Sequence, residues 1–251
     1  LRLNRRLAKE LMPPTVRHIL AMQPIRSYDT KRNHPQRGPC SVYLPTSGRM
    51  RFINFASNEK KTMRIGVFGG SFDPVHWGHL LMAELCREHC ELDELRLVPA
   101  ATPPHKQSQG RAAAAHRLEM LDLATAGTPA LSVWNVELER GGVSYTVDTL
   151  ESLRQEHPKD ELFFLMGADS LFDFPNWRDP QRICQLATLA VVNRPGNPSI
   201  SFDVLADITT PEQRRHLQDF VIPMPQVEIS SSEIRARVST QRSIRYQTPR
   251  A

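Results

Sequence analysis

Met63-Arg64-Ile65-Gly66-Val67-Phe68-Gly69-Gly70-Ser71-Phe72-Asp73-Pro74-Val75-His76-Trp77-Gly78-His79 is the stretch that decides how this chain is read. Met63–Phe68 is a short apolar run of the kind a buried strand makes, and two glycines follow at once. Glycines there let backbone N–H groups approach a phosphate, and the helix beginning beyond them adds donors and a favourable dipole. Gly69, Gly70, Ser71 and Phe72 are therefore expected to cradle phosphate. The stretch is neither the dinucleotide fingerprint G-x-G-x-x-G nor a P-loop, since no Gly-Lys-Ser/Thr follows. His76 and His79 stand three apart at the helix entrance, so both imidazoles can face one small volume and donate to a polyphosphate. The structural alternative is a pair of helix-capping or core histidines.

Outward from this point, short apolar strands alternate with helical stretches, the pattern of a parallel sheet with crossover helices. Strands are expected at Met63–Phe68, Glu94–Val98, Leu162–Met166 and Leu189–Val192, with one or two extended segments in Leu131–Leu138 and candidates at Phe220–Ile222 and Val227–Ile229. Helices are expected over Leu80–Cys90, Ala112–Ala126, Thr146–Glu156, Pro180–Leu186 and Ser232–Val238. There is no internal repeat, and 63–251 reads as one α/β domain. Ligands of such sheets bind beyond the carboxyl ends of the strands, where strand order switches.

The charge is unevenly spread. Residues 1–62 hold thirteen Lys or Arg against Glu10, Asp29 and Glu59, net +10, so the other 189 residues carry −5 of a chain whose total is +5. The basic character thus belongs to the N-terminal segment, and no nucleic acid is expected as partner of the domain. That segment, rich in Pro, Arg, Ser and Asn, lacks an apolar period and is expected to be a disordered basic extension, either an inert tail or an arm for an acidic partner. No apolar run approaches the roughly 20 residues of a membrane span. Cys40, Cys86, Cys90 and Cys184 form no secretory framework, and Cys86 and Cys90 are one helical turn apart, a poor geometry for a bridge. The expected compartment is the cytoplasm. The oligomeric state is not legible.

Further polar groups gather at strand ends. The second strand runs into Val98-Pro99-Ala100-Ala101-Thr102-Pro103-Pro104-His105-Lys106, where prolines stiffen a loop that either delivers the Lys106 ammonium to the site or leaves it solvated. Ser144-Tyr145-Thr146 reads as an N-cap whose free N–H groups suit a carboxylate. Gly167 and Asp169, after the buried strand Leu162–Met166, stand where a ribose is contacted, although Asp169 also suits a helix cap. Ser230, Ser231 and Ser232 open the last helix with Arg235 one turn in, a second phosphate site. Trp177, taken alone, reads as core. Arg117 and the segment Glu137–Arg140 read first as surface or scaffold charges and only second as site residues.

The string G-G-S-F-D-P-V-H-W-G-H resembles the signature of the nucleotidyltransferase superfamily with the (H/T)-x-G-H motif, in its bacterial nicotinate-nucleotide adenylyltransferase branch. The resemblance continues through P-P-H-K, Arg117 before M-L, E-L-x-R at 137–140, S-Y-T at 144–146, G-A-D-S at 167–170, Trp177, and I-S-S-S-x-I-R at 229–235 with Ser232 for the usual Thr. It covers nearly all of 63–246. It implies a Rossmann-like fold and transfer of the adenylyl group of ATP to nicotinate mononucleotide, giving deamido-NAD and pyrophosphate, with Mg²⁺ bound alongside ATP and no protein metal ligands. His76, His79 and Lys106 are then implied as catalytic. Gly69, Gly70, Ser71, Phe72, Gly167, Asp169, Ser231, Ser232 and Arg235 are implied at ATP, and Ser71, Lys106, Tyr145, Thr146 and Trp177 at the mononucleotide. The family continues past its Tyr-x-x-Pro turn into a final short helix, whereas this sequence ends at Pro249-Arg250-Ala251. The rival readings are another adenylyl- or cytidylyltransferase of the superfamily, and a non-catalytic nucleotide-binding protein.

Overall fold

The computed structural model describes residues 62–104, 111–194 and 200–249. The basic extension, apart from Thr62, and the His105-Lys106 pair fall outside them.

Six strands form one parallel sheet: β1 (Arg64–Gly70), β2 (Glu94–Pro99), β3 (Leu131–Val133), β4 (Glu161–Gly167), β5 (Thr188–Asn193) and β6 (Val221–Pro223). They lie in the order β3-β2-β1-β4-β5-β6, so the chain winds outward from β1 in one direction and then returns to its other side. This is the doubly wound Rossmann arrangement, with its switch between β1 and β4.

Helices cover both faces. On one, α1 (Trp77–His89) and α2 (Ala114–Thr125) bury Met82, Ala83, Cys86 and Leu121 against Phe68, Leu95, Leu97, Phe163 and Leu165. On the other, α4 (Thr146–Glu156) and α6 (Pro180–Leu186) bury Val147, Leu150, Leu153 and Ile183 against Ile65, Val67, Leu162, Phe164 and Met166. Successive residues of β4 enter opposite layers, which is why Leu162–Met166 is apolar without alternation. Burying each of these large side chains contributes on the order of 2 kcal/mol.

Three expected strands are corrected. Of Leu131–Leu138 only Leu131–Val133 is extended, and Val136–Arg140 forms the short helix α3. The strand ends where β2 stops offering partners: the Trp134 N–H donates to the Leu97 carbonyl and no ladder continues. Gly141, at φ +67°, then terminates α3. Val227–Ile229 is not a strand; Val227 instead packs beside the first turn of α1, where a Cβ on Gly78 would lie 3.7 Å from its Cγ1. The last strand begins at Val221 because Gln218–Phe220 closes a 3-10 turn. Two helices not anticipated are α5 (Ala168–Asp173) and α7 (Pro211–Leu217). The final helix, α8, spans Ser231–Ser239.

Candidate active site at the switch point

A crevice opens where β1 and β4 part. Their ladder is last registered at Val67↔Phe164, three residues short of both strand ends, while β1 stays paired with β2 as far as Gly70↔Pro99. Gly69 and Gly70 form one lip and Gly167 the other. A Cβ built on Gly167 would meet nothing within 4 Å, and one on Gly69 only the Phe164 ring edge at 4.0 Å. The two strands thus leave open space at their carboxyl ends, where ligands of such sheets bind.

Behind the first lip the chain turns sharply. Phe72 sits at φ +45° and its ring is wholly buried, so any contact it makes with a ligand comes from its backbone. Gly70 is needed beneath it, since a Cβ there would lie 3.0 Å from the Phe72 ring. Arg117, buried to 3 % exposure, donates through Nη1 to both the Ser71 and the Ala100 carbonyls at 2.9 Å. It ties the turns after β1 and β2 together and is a scaffold residue. Ser144 acts likewise: its Oγ accepts from the Ala101 N–H at 2.9 Å, fixing the start of the loop that leads to Lys106.

His76 and His79 stack, with ring centroids 3.7 Å apart and planes 27° from parallel. Gly78 makes room for this, because a Cβ there would come within 3.1 Å of the His76 ring. His79 Nδ1 accepts from the His76 backbone N–H at 3.3 Å. A ring nitrogen that accepts is unprotonated, so the His79 proton sits on Nε2. His76 Nδ1 is buried with no hydrogen-bond partner. Burial, aided by the Arg194 cation, lowers the pKa of His76 to about 4; burial, then His76 and Arg194, lowers that of His79 to about 3. Both are neutral near pH 7, each with one N–H to offer.

Arg194 is a site residue that the sequence reading passed over. It follows β5 directly, is exposed, and forms no ion pair or hydrogen bond among the described residues. A free cation at a strand's carboxyl end beside two histidines is suited to a polyphosphate. The signal was available: Arg194 is the first residue after a buried strand.

The first turn of α8 is joined to the glycine turn. Ser230 is the N-cap, its Oγ accepting from the Glu233 N–H at 3.1 Å. Ser231 Oγ donates to the Pro74 carbonyl at 2.8 Å, and Arg235 Nη1 donates to the Asp73 carbonyl at 2.7 Å, with Asp73 Oδ2 at 3.8 Å. Ser232 Oγ accepts from Arg235 Nη2 at 3.3 Å. The two stretches expected to touch phosphate are thus adjacent, about 160 residues apart in sequence. Part of their donor capacity is used in holding each other.

Beyond the other lip, Asp169 lies exposed in the first turn of α5, whose cap is Gly167. It does not cap the helix, and its carboxylate makes no hydrogen bond or ion pair among the described residues, which leaves it available to hydroxyl groups. The entrance of α4 differs from expectation. Its N-cap is Tyr145, which has no side-chain cap hydrogen bond, since Ser144 Oγ faces Ala101. With Thr146 first in the helix, the opening N–H groups keep their capacity for an anion. Trp177 is half-buried, its ring centroid 5.9 Å from that of Phe164 and 5.4 Å from that of Phe174, so part of the ring serves the core and part stays accessible.

Comparison with known proteins bears on the same residues. The model of the cytidylyltransferase-like family matches residues 67–237. A protein of Thermus thermophilus named as a probable nicotinate-nucleotide adenylyltransferase is 47 % identical over 191 residues, 75 % of this chain and 94 % of the relative. One of Thermomicrobium roseum with the same name is 44 % identical over 186 residues, 74 % of this chain and 85 % of the relative. The chain belongs to the nicotinate-nucleotide adenylyltransferase family. Among solved structures, Plasmodium falciparum nicotinic acid mononucleotide adenylyltransferase complexed with NaAD superposes with a TM-score of 0.55 at 19 % identity, over 72 % of this chain and 87 % of that one, which speaks for the shared fold. In this adenylyltransferase-family chain, the glycine turn, both histidines, Arg117, the S-Y-T entrance, Trp177 and the Ser230–Arg235 start of the serine helix all fall inside the matched span.

Proposed function

We propose that this protein transfers the adenylyl group of ATP to nicotinate mononucleotide, releasing pyrophosphate and forming nicotinate adenine dinucleotide for NAD biosynthesis. The carrying observation is the crevice between β1 and β4, with the stacked His76–His79 pair near one lip and exposed Asp169 on the other. A phosphate oxygen of the mononucleotide attacks the α-phosphorus of ATP. The new P–O bond forms as the bond to the β-phosphate oxygen breaks, and pyrophosphate leaves with the electron pair.

The chain's contribution is positioning and charge neutralisation. Neutral imidazole N–H groups, His79 Nε2 among them, donate to oxygens that gain charge, and Arg194 and Arg235 supply cations. Lys106 is assigned to the same phosphates from beyond the described residues. Gly167 and Asp169 take the adenosine ribose. Tyr145 and Thr146 receive the pyridine carboxylate at the α4 entrance, with Trp177 beside the ring. Mg²⁺ is proposed to enter on ATP and to screen the repulsion between the two phosphates. Such an ion is proposed to be liganded by phosphate oxygens and water.

A cytoplasmic location is part of the proposal, supported by free thiols at Cys86, Cys90 and Cys184. Among the described residues no helix is long and apolar enough to cross a membrane. The test is pyrophosphate release from ATP with nicotinate mononucleotide, nicotinamide mononucleotide and phosphopantetheine as separate acceptors. Turnover with the first, at least tenfold above the others in kcat/KM, is the expected result; preference for phosphopantetheine, or no turnover at all, would refute the reading.

A further inference from the structure

Arg178 follows Trp177 and turns back over the entrance of α4. Its guanidinium carbon lies 4.6 Å from the centroid of the Tyr145 ring, and its Nη1 is 3.7 Å from Asp148 Oδ2. One side chain thereby joins the Tyr145 cap and the acid in the first turn of α4, and it directly follows Trp177 in sequence. Asp148 creates an electrostatic difficulty there. A helix N-terminus attracts an anion, yet this one already carries a carboxylate, one-third exposed, within the turn that would receive the ligand's own carboxylate. Two carboxylates a few ångströms apart repel, and at the partly solvated surface that repulsion is comparable in size to a helix-end attraction.

We propose that Arg178 is a specificity-determining residue, offsetting the Asp148 charge and adding a cation at the α4 entrance so that the acid form of a pyridine mononucleotide is accepted over the amide. This rests on the proposed reading of that entrance as the pyridine carboxylate site. Tyr145 holds the guanidinium in place from below through its ring face, and Asp148 holds it from the helix side, so its position is set without contribution from substrate. A neutral amide gains nothing from the added charge. Its contacts are with the α4 entrance, so its effect belongs to acceptor recognition and not to ATP.

The test compares kcat/KM for nicotinate and nicotinamide mononucleotides, and KM for ATP, in the native enzyme and in Arg178→Ala, Arg178→Lys, Asp148→Asn and the Arg178→Ala/Asp148→Asn pair, each with a melting curve. Arg178→Ala should lower the acid-to-amide ratio about tenfold, chiefly through KM for the acid, with KM for ATP within twofold of native. Arg178→Lys should keep most of the ratio, and the double variant should regain part of what Arg178→Ala loses, because the repelling carboxylate is gone. An unchanged ratio in Arg178→Ala, or equal losses for both mononucleotides, would overturn the inference while leaving the proposed function standing. A native enzyme that uses neither mononucleotide would overturn both.

Discussion

The imidazole of His79 lies almost parallel to that of His76 at 3.7 Å and takes the His76 backbone N–H on its Nδ1. One contact fixes where the ring lies and the other fixes which nitrogen carries the proton. The Nε2–H donor is therefore prepared before any substrate arrives, which is the condition under which a donor contributes most to a transition state. Replacing His79 with Ala is expected to lower kcat by roughly 10²–10³, with KM for ATP changing far less. Steady-state kinetics alongside a melting curve reads this, and a folded variant within a few fold of native kcat removes His79 from the mechanism.

The depressed histidine pKa values predict a pH-dependent stability. In the unfolded chain both residues protonate near pH 6.5, whereas in the folded protein His76 resists down to about 4 and His79 to about 3. Between those limits the unfolded state binds more protons, so stability falls as pH is lowered from 6.5. Above pH 6.5 both states are neutral and the pair contributes no slope. The measurement is the melting temperature at pH 7.5 and pH 5 for the native protein and for His76→Asn/His79→Gln. The double variant should lose less on acidification; an equal loss would show that other groups carry the slope.

Arg194 lowers both histidine pKa values through its charge. Its replacement by Ala is therefore expected to raise the His76 pKa, as followed by the imidazole proton shifts on titration. As an exposed cation close enough to act on both histidines it should also matter to ATP: Arg194→Ala is expected to raise KM for ATP about tenfold, and Arg194→Lys to recover part of this. Unmoved histidine shifts together with native ATP kinetics would remove Arg194 from the site.

Arg117 predicts a different outcome. Its single Nη1 serves two carbonyls in a buried place, so Arg117→Met leaves the Ser71 and Ala100 oxygens without this donor. A destabilisation of about 3 kcal/mol is expected, read by denaturant unfolding, since hydrogen bonds from a charged donor are each worth about 1.5–3 kcal/mol. If instead stability stays native and only turnover falls, Arg117 acts on substrate and not on the scaffold.

Much of the site could be read without the fold, because its chemistry is local in sequence. The order strand, glycine pair, His-x-Gly-His and helix is a self-contained device: β1 supplies the end, Gly70 and Gly78 supply room, and the three-residue spacing stacks the rings. Apolar runs fixed β4 and β5 to within a residue or so, and the alternation of strands and helices fixed the α/β class. The hydroxyl cap expected within Ser144–Thr146 is not formed, because such caps are ambiguous: a hydroxyl serves whichever N–H is nearest, and for Ser144 that is Ala101, 43 residues away.

What only the tertiary structure decided is which distant groups share one space. Strand order is not encoded by any single segment, so the parting of β1 from β4 that opens the crevice became visible only once they were neighbours. Arg235 reaching the Asp73 carbonyl, Arg178 lying over Tyr145, and the charge of Arg194 felt at His76 all join residues from separate strands and helices. Local propensity and periodicity are properties of a few consecutive residues, and they determined the elements. Electrostatics and hydrogen bonding act through space, and they became specific only when the sheet had brought the ends of its strands together.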